Sequence, residues 1–362
     1  MTRWIKRIFW ITIIIILLIA GAVAVTFIKD TTPLTQINSQ TEKLGEFRAT
    51  DNCRKIDQLQ FTYDFTELDR INGIAPLGSV NSGELRSHTF IAFENPSKKI
   101  AIYAPTVLTL ISGNFRNASG QDEYALIFQA SCDYFLKFDH ITDPIEAIRK
   151  VFPATPSAES KSIELKTNVD IAAGEVVAYT SGNYPNNIWD FGLYDLRQEN
   201  TFANPARFMS HLRLRHAICP YDFFPKKERY YAKLRFEGET YGDKPQNCGS
   251  LNQDIIGTIS GSWFSSPVEA FYNSEAYLGI STFTSPDEVR IVGLQDRDFY
   301  RIGKTNPTFK DPTEVTNEHC YANQDGIVYF KLLTRDSLAV YFANTSACPD
   351  TFPSSGFVTY MR

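Results

Sequence analysis

Residues 8–28 carry no charged side chain, a run of 21 residues in which isoleucine, leucine, valine and alanine predominate. As a helix, at about 1.5 Å per residue, it spans roughly 30 Å, the thickness of a bilayer core. Arg3, Lys6 and Arg7 precede it and Lys29-Asp30 follow it. Basic residues on that flank predict a cytoplasmic N-terminus, with everything beyond residue 30 outside the cytoplasm. The alternative is a cleaved signal, for which Ala20-Gly21-Ala22 and Ala22-Val23-Ala24 are acceptable sites. The run exceeds the apolar region of about 7–15 residues found in cleaved signals, which favours an anchor. The expectation is therefore a single-pass protein of the cell membrane held by residues 8–28, or a secreted one if the leader is removed.

Six cysteines fit such a compartment: Cys53, Cys132, Cys219, Cys248, Cys320 and Cys348. No Cys-x-x-Cys pair occurs, which argues against a zinc ribbon or a thioredoxin-type motif. An even number of cysteines in an exported chain predicts up to three disulfides. Pairs Cys219–Cys248 and Cys320–Cys348 would close short local loops, and Cys53–Cys132 follows by subtraction. The formal charge is −5 overall, and Arg3, Lys6, Arg7 and Lys29 contribute +4, so residues 30–362 carry −5 − 4 = −9. An ectodomain this acidic lacks the electrostatic footprint of a nucleic-acid binder.

Beyond a polar tether (residues 30–52) the chain reads as short apolar runs broken by turn residues. Residues 100–105, 107–111, 124–128 and 134–138 are rich in β-branched and aromatic side chains and predict strands. Residues 143–151 predict one short helix with Pro144 in its first turn, and 152–161 a loop. Two further strands are expected around Ala172-Ala173-Gly174-Glu175. Residues 204–236, rich in Arg, Lys, Tyr and Phe, predict helical turns, one of them starting at Pro225. β patterning resumes at 255–264, 276–283, 289–294, 326–333, 337–343 and 356–360, an antiparallel sheet or small barrel. The fold class is thus mainly β. It comprises a first domain over residues 53–200, a disulfide-braced C-terminal domain over 201–362, and residues 1–29 as anchor or signal.

Four segments form an ordered set: His88-Thr89-Phe90-Ile91-Ala92, Phe138-Asp139-His140-Ile141, Ile171-Ala172-Ala173-Gly174-Glu175, and Ile188-Trp189-Asp190-Phe191-Gly192. Over residues 84–195 this resembles the core of the lysostaphin-type (LytM-like) zinc endopeptidases, whose fold is a duplicated-hybrid-motif antiparallel β domain. The family holds zinc with the His and Asp of a His-x3-Asp pair and the second His of a His-x-His strand. Hydrolysis needs three such ligands and an open water position. The resemblance places His88 at the first ligand, Ala92 where the Asp belongs, Asp190 at the second His and Ile188 at the other His of that pair. His140 matches the remaining catalytic histidine. Two ligand candidates, His88 and Asp190, and one vestigial acid/base, His140, are left. Losing an acid/base group costs orders of magnitude in rate.

The resemblance therefore implies a pseudo-peptidase that works without a cofactor. Its groove, lined by His88, His140, Trp189 and Asp190, would bind peptidoglycan or an envelope protein. One alternative is an active zinc endopeptidase with a rearranged site. Another is a ligand-binding module built on the C-terminal β domain, where Gly261-Ser262-Trp263 is similar to the Gly-x-Trp that opens lipocalin-like barrels. The aromatic stretches Tyr221-Asp222-Phe223-Phe224 and Arg229-Tyr230-Tyr231 are expected to bridge the two domains. No Gly-x-Ser-x-Gly elbow and no glycine-rich phosphate loop occurs.

Overall fold

The computed structural model describes residues 47–81, 84–93, 98–118, 120–159, 161–183, 186–209, 211–236, 239–240, 248–265, 277–282, 288–293 and 300–362. The expected membrane segment at residues 8–28 and the tether up to residue 46 lie outside them. Among the described residues, no helix is long and apolar enough to cross a membrane. Among the described residues the protein is mainly antiparallel β, with 45% in strands and 3 short α-helices.

One large antiparallel sheet organises the first region. Its strands run in the order Ile71–Ala75, Thr89–Phe93, Ile188–Asp195, Tyr134–Ile141, Gln121–Gln129, Leu108–Ala118 and Ile163–Ile171. A second sheet of Ile100–Tyr103, Val176–Thr180 and Asp143–Pro144 lies against it. Side chains alternate between faces along a strand. Thus Trp189, Phe191 and Leu193 meet Leu136, Phe138, Leu126 and Phe128 in one core with Ile100, Ile102 and Val177 of the smaller sheet. Phe65 sits at the centre, its ring centroid 4.6 Å from Phe191 and 5.7 Å from Tyr230.

The Ala172–Glu175 turn, with Gly174 at φ +83°, does not close a hairpin. The strand before it pairs Ile171 with Leu108 in the large sheet, and the strand after it pairs Val176 with Tyr103 in the small one. The turn therefore steps from one sheet to the other, as the chain also does between Tyr103 and Leu108. Pro144 likewise pairs with Ala178 as a strand residue, and the helix begins only at Glu146.

The first region also reaches further than its composition suggests, in both directions. Phe47, expected in the tether, is fully buried with its ring 4.6 Å from Tyr194. Tyr221, Phe224, Tyr230, Leu234 and Cys248 belong to the first core, not to the C-terminal one. The aromatic stretches therefore serve as core of the first region rather than as a bridge.

The C-terminal strands form a meander: Gly261–Phe264, Tyr277–Ser281, Glu288–Val292, Tyr300–Gly303, then Glu318–Asn323, Gly326–Thr334, Ser337–Ala343 and Phe357–Met361, the last pairing back to the first. The remaining gap is spanned by the Tyr300 hydroxyl, which donates to Gly326 O at 2.7 Å, and by Asn323 Nδ2 donating to Arg301 O at 2.9 Å. The result is a nearly closed eight-stranded barrel. Eight strands leave an interior just wide enough for side chains, here Trp263, Tyr300, Tyr321 and Phe330 among others. Strands 300–303 and 318–323 are additional to the runs read from sequence. Phe264 and Val292 face outward into an apolar cluster with Phe208, Phe202 and Leu251, which joins the barrel to the first region.

The disulfides are Cys219–Cys248 and Cys320–Cys348, the two short loops expected, and Cys53–Cys132, the pair left by subtraction. Closing loops of 28 to 79 residues constrains the unfolded chain by about 4 kcal/mol each in a loop-entropy account.

Candidate functional site

The face of the large sheet opposite the first core divides along the strands. At one end Phe135, Ile127 and Tyr194 are covered by Phe47 and the apolar cluster shared with the barrel. At the other end the same alternation brings charged residues forward: Lys137 and Asp139, Asp190, and Glu123 directly across from Arg116. Asp190 pairs with Phe90 on one side and Asp139 on the other.

His140 joins them through an irregularity. Phe138 and Ile141 are both in the first core, which strict alternation forbids at a spacing of three. The register between this strand and its neighbour shifts at this place, and His140 takes φ +61°. A bulge inserts one residue and re-aims a side chain, so His140 shares the face of Asp139. The bulge is tied down by His140 N–H donating to Asp139 Oδ1 at 2.8 Å and by Thr180 Oγ1–H donating to His140 O at 2.6 Å.

A continuous network results. His88 Nε2 lies 3.1 Å from Asp190 Oδ2, and His140 Nε2 lies 3.6 Å from the same oxygen. His140 Nδ1 lies 2.8 Å from Glu123 Oε2. Arg116 reaches Glu123 Oε1 at 2.6 Å and Asp139 Oδ1 at 2.9 Å, and Lys137 Nζ meets Asp139 Oδ2 at 2.6 Å. His140 is the most open member, its side chain 20% exposed against 4% for Asp190.

Burial and charge set the protonation states. Burial opposes a charge on His140, but Asp190, the hydrogen bond to Glu123 and Asp139 outweigh it and lift the imidazole to about 9. His88 goes the other way: burial, with Lys137 and Arg86 nearby, holds it well below its ordinary value, hence neutral. Burial raises Asp190, against the pull of His140. Asp139 stays well below the usual carboxylate range because Lys137, His140 and Arg116 together overcome its burial. At neutral pH the His140 imidazolium and the Arg116 guanidinium therefore face an ionised Asp139 and the shared Asp190. His88 Nδ1 and Asp190 Oδ1 are buried without hydrogen-bond partners.

The structure thus brings His88, His140 and Asp190 together. Trp189 is placed elsewhere: one residue from Asp190 on a strand, it points to the opposite face, fully buried against Phe65 and Phe138. It is a core residue and does not line a groove. Sequence reading missed Arg116, Glu123, Lys137 and Asp139. Lys137 and Asp139 were detectable as charges interrupting the apolar runs around them, whereas Glu123 and Arg116 acquire meaning only from strand register.

Among the described residues, the group whose metal-ligating atoms all lie within 4.8 Å of one another is Glu123, Asp139 and His140. His88 and Asp190, the ligands implied by the family pattern, are not in it. The donor set does not fit a zinc ion: Arg116 and Lys137 already neutralise the two carboxylates, and His140 Nδ1 is engaged by Glu123. A divalent cation would have to displace two resident cations. The arrangement offers a carboxylate between two imidazoles, not three ligands around a vacant centre. No family model, curated protein or solved structure matches this chain.

Proposed function

We propose that this chain is an extracytoplasmic envelope protein, anchored by residues 8–28 or secreted after their removal. In this reading the first region is a catalytically degenerate counterpart of the lysostaphin-type peptidases, and it works by binding peptidoglycan or an envelope protein. One observation carries this: His88, His140 and Asp190, selected by the resemblance, converge at one end of the sheet, with His88 Nε2 and His140 Nε2 both turned to Asp190 Oδ2 and His140 Nδ1 engaged by Glu123. Three disulfides fit an oxidising compartment. The rival ligand-carrier reading of the C-terminal domain draws no support from an interior occupied by Trp263, Tyr300, Tyr321 and Phe330.

The test is co-sedimentation of the full chain with peptidoglycan sacculi, together with capture of envelope proteins and metal analysis after zinc exposure and desalting. Binding without release of peptide fragments is the expected result. Failure both to sediment and to retain any envelope protein would sink the proposal. One zinc per chain, lost in His88→Ala along with peptide release, would establish the active endopeptidase in its place.

A further inference from the structure

The edge strand Ile163–Ile171 parts from its neighbour over the middle of its length. Glu164 pairs with Ser112 and Val169 with Leu110, so five steps of one strand run beside two of the other. Residues 165–168 bow outward, and a cavity of about 270 Å³ opens between them, Ile111 and Ser112 of the adjoining strand, and residues 48–51. Ile111 and Leu165, both buried, supply an apolar floor. The rim carries both signs of charge: Arg48 and Lys166, Asp51 and Glu164. Arg48 and Glu164 approach only to 3.9 Å with about two-thirds of each side chain exposed, so little holds them to each other.

Behind the wall, the Thr50 N–H and hydroxyl both donate to Gln129 Oε1. These two bonds anchor the Thr50 side of the cavity to the sheet.

We propose that this cavity binds a short zwitterionic peptide, a di- or tripeptide of small residues with a free amine and a free carboxylate. The mixed rim suits a ligand with a charge of each sign at its two ends. The interrupted ladder offers strand backbone for an extended peptide to pair with, the mode by which sheets accept added segments. The volume lies just below the usual range for small-molecule pockets of about 300–1,000 Å³. A lining this polar disfavours a lipid or another apolar ligand. The proposal does not rest on the charged cluster, which meets the same sheet strand further along, at Arg116.

Calorimetric titration of trialanine into the full chain in detergent tests it. The expected result is saturable binding, weakened at least tenfold both in the Arg48→Ala/Lys166→Ala double variant and for N-acetyl-trialanine amide, whose ends are uncharged. Both substituted side chains lie on the open rim, so an unchanged thermal midpoint serves as the folding control. His88→Ala should bind trialanine as the parent does, which separates failure here from failure of sacculus binding. Absence of saturable heat up to ~10 mM, a free energy of under about 3 kcal/mol, overturns the proposal, as does equal binding by the double variant.

Discussion

At the entrance to the barrel, Arg362 and Asp254 form one ion pair at 3.1 Å, each side chain 1% exposed. On the first sheet, His88, Arg116, Glu123, Lys137, Asp139, His140 and Asp190 share one network whose outer member is 20% exposed. The barrel pair is enclosed by backbone. Asp254 accepts from Ala203 N and Ser262 N, and Arg362 donates to Ser260 O while its guanidinium lies 4.0 Å over the Trp263 ring. Gly261 has φ +118°, and a Cβ there would sit 2.2 Å from Asp254 Oδ1, which is why a glycine precedes Ser262-Trp263. That pair locks the chain's exit from the barrel to its entry. The sheet network, by contrast, has an edge open to solvent, where the His140 side chain is 20% exposed. Both places hold buried polar atoms without hydrogen-bond partners, Arg362 Nε and Nη1 in one and His88 Nδ1 and Asp190 Oδ1 in the other, so what separates them is access: the barrel pair is enclosed and the sheet network meets solvent at His140.

The largest effect should come from the lock. Burial raises Asp254 against the opposing pull of Arg362 and lowers Arg362 against that of Asp254, so the pair itself adds little net stability. Removing one partner leaves the other buried and unpaired, at a cost of about 3–5 kcal/mol. Arg362→Ala should therefore lower the unfolding free energy from urea titration by about 4 kcal/mol, and Asp254→Asn with Arg362→Met should recover part of it. Equal losses in the single and double variants would show that the pair is not the unit that matters.

Second comes Glu123→Ala, which strips the carboxylate shared by Arg116 and His140. Arg116 keeps Asp139 at 2.9 Å, and His140 can turn to solvent, so about 2–3 kcal/mol is expected, less than for the lock. A larger loss than Arg362→Ala would erase the distinction and make the network a second structural core.

How much of this the residues disclose depends on distance along the chain. The loop lengths of 29 and 28 picked out Cys219–Cys248 and Cys320–Cys348. The resemblance to a peptidase pattern singled out His88, His140 and Asp190, but grouping Trp189 with them ignored the two-residue period that separates neighbours on a strand. Arg116 and Glu123 lie seven apart and become partners only once Ala118 pairs with Gln121 and sets the hairpin's register. The strands Tyr300–Gly303 and Glu318–Asn323 escaped notice because they alternate single inward aromatics or aliphatics with polar outward residues. Barrel closure adds the information that Tyr300 and Tyr321 are interior.

The third effect depends on pH. His140 in the folded protein titrates near 9, above the unfolded value of about 6.5. Its stabilisation is fully present below about 6.5 and is lost as pH rises through about 9. Because the side chain is partly exposed, about 2 kcal/mol is a fair magnitude. Asp139, held low, acts in the opposite window: its contribution is present above about 4 and lost as pH falls below that. Urea midpoints at pH 6 and pH 9.5 should therefore differ in the parent by more than in His140→Gln. Parallel pH curves for the two proteins would mean that His140 carries no extra proton in the folded state.

The smallest effect marks where charge is mere decoration. Lys150 and Glu146 are one helical turn apart at 2.6 Å, with 71% and 75% of their side chains exposed. Water screens such a pair and side-chain entropy opposes it, so Glu146→Ala should change stability by less than about 0.5 kcal/mol. The value of this variant lies in calibration. The ion-pair distance matches that of Lys137 and Asp139, so any difference in cost between Glu146→Ala and Lys137→Ala measures what burial adds to identical geometry. If the two cost the same, the sheet network is solvated in solution and its residues are free to meet a ligand without first surrendering one another.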